Sequence, residues 1–300
     1  MKYSDYLKEK LGHDQERMHL FMLLFECVKK ISDHLDITKG HADTVNTSGD
    51  QQLAMDVQAD KIMQKTLSAC DCIARIASEE QDEAVVMNGK DYCVVYDPLD
   101  GSSLVDVNMS IGTIIGVFPG DEIVGRKGSE MCGAMVAVYG PRTTVLLTLG
   151  DGVSEFILKD DGFVFKKEDI KIDDSSKYIA PGNLQAAASR EWYRDLINYW
   201  LDNRHKLRYS GGMCPDVNHI LIKGGGVFTY PSSDEIPEGK LRLVYECNPM
   251  AMLIEQAGGK AVDDTGRILD KEIQSLHEKS TVYLGSCQEV DKVLEFLGNS

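Results

Sequence analysis

The sequence predicts a mixed α/β protein in which sheets and helices pack in layers. Two observations indicate this fold class. The segment Asp14–Leu35 is apolar around much of its circumference, which is typical of a largely buried helix. Between Cys93 and Lys166, short apolar runs alternate with glycine, proline and aspartate, which is typical of strands joined by turns. At 300 residues with 43% hydrophobic side chains, the chain is long enough to bury a sizeable core.

Elements follow one another in a simple order in the first half. After the helix Asp14–Leu35, the run "NTSGD" (Asn46–Asp50) breaks the pattern and supplies capping residues for a second helix. Met55, Ala59, Ile62 and Met63 lie on one side of that helix. The predicted strands that come next are Cys93–Tyr96, Ser110–Phe118, Met135–Tyr139, Thr143–Leu149, Glu155–Leu158 and Phe163–Lys166.

A short polar segment, Lys166–Lys177, predicts a boundary between two halves, 1–172 and 173–300. The first half is expected to be α+β and the second α/β. In the second half, a helix is predicted within residues 181–203. The remaining predicted elements are strands Val227–Tyr230 and Leu241–Tyr245, helix Pro249–Ala257 closed by two glycines, strand Thr281–Gly285 and a helix that ends near Leu297.

The net charge and the hydrophobicity of the chain limit the kinds of partner that it is expected to bind. The chain carries 48 acidic and 32 basic residues, so its formal net charge is −16, which disfavours nonspecific binding to a phosphate backbone. The N-terminus is too polar for a signal peptide, and no apolar run is long enough to span a bilayer. We therefore expect a cytoplasmic protein with neither a nucleic-acid nor a membrane partner.

Acidic residues recur near the ends of predicted elements, and this pattern suggests a metal site. Carboxylate oxygens in this number suit Mg²⁺ or Mn²⁺ better than zinc, which prefers nitrogen and sulfur. Taken singly, most of them fit the alternative of surface acids, because acidic side chains are abundant here. The candidate residues are Asp50, Asp56, Glu79, Glu80, Asp97, Asp100 and Glu246.

The stretch "DPLDGSS" (Asp97–Ser103) favours the metal interpretation. Pro98 fixes its own φ and pushes Asp97 toward an extended conformation, so that two carboxylates can face one cleft. Gly101 lacks a side chain, so the amides of the following two serines can approach an anion closely. A phosphate ester with its bound cations would fit such a site, because the acids can bind the cations and the neighbouring amides can bind the phosphate. An ordinary turn also uses Asp, Pro and Gly, and this alternative stays open.

A second charged pattern lies in "KLRLVYE". If this segment is a strand, its alternation places Lys240, Arg242 and Glu246 on one face, leading from phosphate-binding cations to a metal ligand. The alternative is a half-exposed strand with scattered charges. Arg208 and Tyr209, in front of paired glycines, form either another anion contact or an ordinary turn.

These motifs carry a resemblance to a known family. The stretches "NTSGDQQLAMD", "SEE", "DPLDGSS" and "GKLRLVYECNPM" closely resemble the class I fructose-1,6-bisphosphatase and sedoheptulose-1,7-bisphosphatase family, in order from about Asn46 to the C-terminus. The resemblance implies the layered α/β/α/β/α fold of sugar phosphatases, shared with inositol monophosphatases. It also implies a phosphoric monoester hydrolase acting on a sugar bisphosphate with two or three Mg²⁺ ions per subunit, or Mn²⁺ in their place.

The resemblance also assigns roles to residues. Asp50 and Glu80 would assist a further cation and the attacking water. From the acids themselves, we expect Asp56 and Glu80 to take or share the proton of that water. Arg208 would act across a subunit interface, which implies a homo-oligomer, a dimer or a tetramer. The expected cation ligands are Glu79, Asp97, the Leu99 carbonyl, Asp100 and Glu246. The expected contacts to the cleaved phosphate are Asp100, Gly101, Ser102 and Ser103. The expected contacts to the sugar and the distal phosphate are Asn183, Tyr209, Tyr230, Lys240 and Arg242.

Substrate preference within the family is suggested by further stretches. "VDVNMSIGTIIGVFPGD", "YGPRTT", "APGNL" and "LRYSGGMCPDVNHILIK" are more similar to sedoheptulose enzymes, whereas "FTYP" and "YECNPM" are more similar to fructose enzymes. We expect hydrolysis of the C1-phosphate of sedoheptulose 1,7-bisphosphate to sedoheptulose 7-phosphate and phosphate. The alternatives are a fructose-1,6-bisphosphatase, a dual-specificity enzyme, and more remotely a non-catalytic sugar-phosphate sensor, which would be expected to lack at least one of the metal-binding acids.

Overall fold

A computed structural model describes residues 1–35, 41–45 and 51–298. The predicted break at 46–50, and with it Asp50, lies outside the described residues. The α-helices of the described part are α1 (Tyr3–Leu11), α2 (Gln15–His34), α3 (Ala54–Leu67), α4 (Glu191–Asp202), α5 (Met213–Lys223), α6 (Asn248–Gln256) and α7 (Cys287–Gly298).

Strands run through both halves of the described chain. Those of the first half are β1 (His41–Val45), β2 (Gln51–Leu53), β3 (Ile73–Ser78), β4 (Val85–Val86), β5 (Tyr92–Asp100), β6 (Ile111–Pro119), β7 (Gly133–Tyr139), β8 (Thr143–Thr148), β9 (Val153–Lys159) and β10 (Gly162–Lys167). Those of the second half are β11 (Tyr178–Pro181), β12 (Lys206–Leu207), β13 (Val227–Tyr230), β14 (Leu241–Arg242), β15 (Lys260–Val262), β16 (Lys279–Ser280) and β17 (Val282–Gly285).

The larger sheet has eight strands in the order β10-β9-β8-β7-β6-β5-β3-β4. From β10 to β5 it is an antiparallel meander, whereas β3 pairs with β5 in parallel. A parallel pair needs a crossover connection. The chain between β3 and β5 provides it, and β4 adds an edge strand on the outer side of β3. The parallel pair brings the C-terminal ends of β3 and β5 to the same edge of the sheet.

Side chains of β5 alternate between two separate cores, as the period of a strand requires. Cys93 and Val95 lie in the core that the larger sheet shares with α5 and α6. Val94 and Tyr96 lie in the opposite core, formed with α1, α2 and α3. Because helices cover both faces, every residue of β5 is buried.

The smaller sheet has five strands in the order β12-β11-β13-β17-β15. Its inner face joins α5 and α6 in the core shared with the larger sheet, and its outer face packs on α4 and α7. The layers are therefore α1–α3, the larger sheet, α5 and α6, the smaller sheet, and α4 with α7. This order is the predicted α/β/α/β/α architecture.

Most predicted elements are confirmed, and several are corrected. The predicted helix Asp14–Leu35 corresponds to α2, and the strands predicted between Ser110 and Lys166 correspond to β6–β10 with small shifts at their ends. The "DPLD" motif was expected to flank a turn, but β5 continues through Asp100, with an irregularity in its pairing between Asp97 and Asp100. Pro98 fits there because an irregular pairing does not require its missing N–H.

The predicted strand Leu241–Tyr245 is wrong beyond Arg242. Leu243–Cys247 form a π-helical turn that leads directly into α6, and all five of its residues are buried. The sequence alternates apolar and charged residues over only a few positions, a length at which helical and extended structure are hard to distinguish. Elements that the sequence did not predict include α1, β3, β11 and α5.

Among the described residues, every helix falls short of the length and apolarity that crossing a membrane demands.

The buried helix α6 gives a prediction on stability. Leu253 is completely buried in the core between the two sheets. We expect Leu253→Ala to lower the free energy of unfolding by about 2–5 kcal/mol, because it leaves a cavity where both sheets pack. Urea unfolding followed by circular dichroism measures the change. The matched control is Leu201→Ala, at a position that is 68% exposed, which should change it by less than about 0.5 kcal/mol. Equal effects of the two variants would contradict the proposed core.

Candidate active site

A cavity of about 630 Å³ opens at the edge where β3 and β5 end. Its walls come from both halves of the chain. The first half contributes α3, the turn after β3, β5 and the turn after β5, and the second contributes the segment before α5, β13, β14, the π-helical turn and β16. The predicted site residues that line it are Asp56, Glu79, Glu80, Asp97, Leu99, Asp100, Gly101, Ser102, Ser103, Tyr209, Tyr230, Lys240, Arg242 and Glu246.

Strand pairing places the first two carboxylates side by side. In the parallel register of β3 and β5, Ser78 lies opposite Tyr96. The next residue on each strand is acidic, Glu79 on one and Asp97 on the other. The register is extended by the Glu79 amide, which donates to the Tyr96 carbonyl at 3.0 Å. The two acids therefore emerge together at the end of a buried strand pair.

The third carboxylate comes from the π-helical turn. Glu246 lies there, four residues after Arg242, whose amide donates to Glu246 Oε2 at 2.6 Å. Carboxylate oxygens of Glu79, Asp97 and Glu246 all lie within 4.8 Å of one another. Sequence alternation predicted that Arg242 and Glu246 share a strand face. They do share the cavity, but a helical turn brings them together rather than a strand.

Asp100 is oriented by the start of α5. Its two carboxylate oxygens accept from the amides of Met213, at 3.3 Å, and Cys214, at 2.6 Å. Because helix N-terminal amides carry positive partial charge, they stabilise the ionised carboxylate. This contact joins the end of β5 to the second half of the chain.

The turn after β5 depends on one glycine. Gly101 has a φ of 79°, in the left-handed region where a side chain is strained, and it precedes a short 3₁₀ turn, Ser102–Leu104. Ser102 and Ser103 begin this turn and line the cavity. They share the cavity with the acidic residues, as the sequence motif suggested. The turn ends at Leu104 and does not continue into an α-helix.

Burial makes the acidic cluster electrostatically unfavourable. It raises the pKa of Asp97 and of Glu246 well above the usual range, and the charge of Glu79 adds to the effect on both. Burial also raises the pKa of Glu79 to about 7, against the lowering effect of Arg242, whose Nε lies 3.7 Å from Glu79 Oε1. One arginine does not offset several buried carboxylates, so the cluster favours additional positive charge.

This donor set fits a hard divalent cation. Three converging carboxylates, in a cavity that Leu99 also lines, offer oxygen ligands, which is the preference of Mg²⁺ and Mn²⁺. Asp56 lines the same cavity and is 5% exposed. An ion among these residues would relieve the repulsion between them.

The second half of the chain also contributes cationic and aromatic side chains to the cavity. Lys240, Tyr209 and Tyr230 line it, as predicted from the sequence. Two further charged residues line the cavity that the sequence did not indicate, Asp106 and Lys279. Lys279 pairs with Arg242 across β14 and β16. Only knowledge of this pairing could have found it, because nothing in the local sequence marks that lysine.

Two predicted residues do not line the cavity. Asn183 has a φ of 46°, and its side-chain amide donates to the Pro231 carbonyl at 2.9 Å. Arg208 lies over the Tyr178 ring, 5.5 Å from its centroid, on the exposed edge of the smaller sheet. Asp50 lies outside the described residues.

Two family models together match nearly the whole chain. The fructose-1,6-bisphosphatase N-terminal domain matches residues 7–169, and the C-terminal domain matches residues 172–298. The chain belongs to the fructose-1,6-bisphosphatase family. It is therefore a sugar-bisphosphate phosphatase, and members of this family are metal-dependent and typically oligomeric.

Relatives bear two substrate names. The class 1 fructose-1,6-bisphosphatase of Trichlorobacter lovleyi is 43% identical over 87% of this chain and 84% of its own. The chloroplastic sedoheptulose-1,7-bisphosphatase of Spinacia oleracea is 40% identical over 92% of this chain and 73% of its own. The crystal structure of Leishmania major fructose-1,6-bisphosphatase in holo form superposes with a TM-score of 0.93 at 32% identity, covering 99% of this chain and 98% of the other. The expected preference for sedoheptulose is not confirmed by these similarities, since most of the relatives compared are named for fructose.

The repulsion within the acidic cluster gives a prediction on stability without metal. We expect Glu246→Gln to raise the melting temperature in EDTA at pH 8 by about 2 °C or more, because it removes one buried negative charge while keeping the side-chain shape. Added Mg²⁺ should raise the melting temperature of the unmodified protein more than that of the variant. Differential scanning calorimetry measures both values.

The matched control is Glu238→Gln at an exposed position, which should leave both melting temperatures unchanged. The carboxylates of the cluster have raised pKa values in the folded state, so the folded state binds more protons than the unfolded one. The repulsion between these carboxylates therefore weakens as the pH falls through about 7. A Glu246→Gln variant that melts lower than the unmodified protein in EDTA would contradict the repulsion.

Proposed function

We propose that the protein hydrolyses the C1-phosphate of fructose 1,6-bisphosphate, releasing fructose 6-phosphate and inorganic phosphate. The single observation that carries this proposal is the cavity in which the cluster of Glu79, Asp97 and Glu246 meets the turn Gly101–Ser103. Ligands for cations and donors for an anion lie next to each other there, as a bound phosphate ester requires. The fructose substrate is supported by the names of most of the relatives compared.

Cations of the Mg²⁺ type would be held by the clustered carboxylates, the Leu99 carbonyl and Asp100, with two or three ions per subunit and Mn²⁺ as the alternative ion. When bound, such ions lower the pKa of a water molecule and stabilise the charge on the departing oxygen. Asp50 is proposed to assist one of these ions. The amides of Met213 and Cys214 support the role of Asp100, because they keep its carboxylate aimed at the cavity.

Side chains and backbone amides would accept the proton of the attacking water and bind the phosphoryl oxygens. Asp56 and Glu80 line the cavity beside the cluster and would accept the proton of the attacking water. Gly101 lets the amides of Ser102 and Ser103 approach the phosphoryl oxygens and stabilise their charge in the transition state. Phosphoryl transfer depends mainly on such positioning and electrostatics.

The wall with Tyr209, Tyr230 and Lys240 would hold the sugar and the distal phosphate, with Arg242 between the two ends. Lys240 is exposed and supplies a positive charge for a phosphate. Asn183 and Arg208 lie outside the cavity of the single chain. We therefore assign Arg208 to the site of a neighbouring copy in a homo-oligomer, a dimer or a tetramer.

A second candidate substrate is sedoheptulose 1,7-bisphosphate. It is favoured by the 40% identity to the spinach enzyme and by the sequence stretches similar to sedoheptulose enzymes. Both substrates carry the cleaved phosphate on C1 and differ only in the reach to the distal phosphate. The enzyme would then act on both, with its preference set at the distal end.

Substrate preference is directly measurable. We expect fructose 1,6-bisphosphate to be favoured by about 10- to 200-fold in kcat/KM, which is the discrimination that a change of one carbon allows. The assay compares phosphate release from both bisphosphates in Mg²⁺. A ratio that favours sedoheptulose 1,7-bisphosphate would reverse the assignment, and failure to hydrolyse either would refute the function.

Removing one carboxylate of the cluster tests the role of the cations. We expect Asp97→Asn to lower kcat/KM by more than about a hundredfold, because cation ligands matter at least as much as the groups that orient them. The backbone bond from the Leu99 amide to Asp97 Oδ1, at 2.9 Å, can persist in the variant. The control is Asp160→Asn at an exposed position, which should retain full activity. Near-normal activity of Asp97→Asn would contradict the proposal.

A further inference from the structure

Asp60 is a buried acid that takes no part in the site described so far. It lies on α3, one helical turn after Asp56, and is only 3% exposed. Unlike Asp56, it does not line the cavity. Side chains four residues apart on a helix share a face, so Asp60 points inward beside the acid that does. A buried carboxylate is unfavourable unless donors satisfy it, and its donors here are informative.

Three side chains donate to this carboxylate. Asp60 Oδ2 accepts from Gln64 Nε2 and from Gln81 Nε2, both at 2.7 Å. Asp60 Oδ1 accepts from the Tyr96 hydroxyl at 2.9 Å. Gln64 is on the same helix, but Gln81 and Tyr96 belong to other elements. Gln81 immediately follows Glu80, and Tyr96 immediately precedes the proposed cation ligand Asp97.

Gln81 follows Glu79 and Glu80 in the chain, and these three residues form a short turn after β3, here called the acid turn. Its start is fixed by the Glu79 amide bond to the Tyr96 carbonyl. Its end makes two contacts. The Gln81 carbonyl lies 3.0 Å from His277 Nε2, and the Gln81 side chain donates a hydrogen bond to Asp60. The acid turn is therefore fixed on both sides of Glu79 and Glu80.

Tyr96 precedes Asp97 on β5. Its ring is completely buried, so its hydroxyl bond to Asp60 fixes α3 against the end of β5. Through one carboxylate, three segments that carry site residues are thus connected: the helix of Asp56, the acid turn, and the strand β5, which carries Asp97. Charge-assisted bonds of this kind are shorter and stronger than neutral ones.

We propose that Asp60 is a positioning residue, which sets the acid turn at the distance from Asp97 and Asp56 that cation binding requires. It touches neither substrate nor ion and acts through Gln81 and Tyr96. This inference rests on the proposed function of the cluster. Residues that orient metal ligands typically change metal affinity or activity by 10- to 100-fold when altered.

The two glutamines provide a matched pair of variants. Gln81→Leu removes the bond between Asp60 and the acid turn and leaves the backbone contact to His277. Gln64→Leu removes a bond of equal length to the same oxygen, but inside α3. Both glutamines are half-buried, so the two variants should lose similar thermal stability. Only Gln81→Leu should weaken cation binding.

The experiment measures binding of Mn²⁺ alone to the full-length protein without substrate, by electron paramagnetic resonance of the free ion. We expect Gln81→Leu to weaken Mn²⁺ binding by about tenfold or more and Gln64→Leu by less than about twofold. Tyr96→Phe, which removes only a hydroxyl, should also weaken it, and it serves if Gln81→Leu does not fold. Kinetics in saturating metal should restore most of the lost kcat for Gln81→Leu.

Each contrary outcome has a distinct meaning. If Mn²⁺ binds to the unmodified protein, is lost in Asp97→Asn and is unchanged in both Gln81→Leu and Tyr96→Phe, the positioning role of Asp60 is overturned and the proposed function stands. Equal weakening by Gln64→Leu and Gln81→Leu would also overturn it, because the effect would then follow stability alone. If the unmodified protein binds no Mn²⁺ that depends on Asp97, both the proposed function and this inference fail.

Discussion

Parallel pairing of β3 with β5, next to an otherwise antiparallel meander, is the constraint on which the whole site depends. It makes two strands end at one edge, in a register that sets Glu79 beside Asp97. A slip of β5 by one residue would exchange the side chains that fill the two cores and turn Tyr96 toward the side that Val95 now occupies, so the register is strongly specified. The layered core thus fixes the spacing of two acids that repel each other. Hydrophobic packing stabilises an arrangement that electrostatics alone would separate.

That repulsion is what makes the cavity chemically specific. Buried carboxylates with raised pKa values beside a single arginine form a site with an excess of negative charge. Under the proposed function, divalent cations would relieve this repulsion, and a phosphate ester would supply the counter-charge to those cations. Stability is given up locally for binding, as is common at functional sites. Lys240 and Lys279 line the same cavity and add positive charge to it.

Sequence was sufficient where a residue's role follows from its neighbours in the chain. The strands between Ser110 and Lys166 follow from alternation and turn residues, and "DPLDGSS" combines acids, proline and glycine within seven consecutive residues. The sequence did not predict residues whose role depends on partners that are distant in the chain. Lys279 reaches the cavity only through its pairing with β14, and Asp60 resembles any acid on a helix until its donors are known. The alternation in "KLRLVYE" was misleading because a π-helical turn brings Arg242 and Glu246 together equally well.

The contacts of Asp100 determine how much of the chain must be synthesised before the acidic cluster can be complete. On the ribosome, a nascent chain that ends before α5 has Asp97 and Asp100 but lacks the amides of Met213 and Cys214 that orient the second of these acids. Until Glu246 emerges, the third carboxylate of the cluster is missing as well. Under the proposed function, cation binding would therefore have to wait until most of the polypeptide has been made, because a shorter chain carries only two of the three clustered carboxylates.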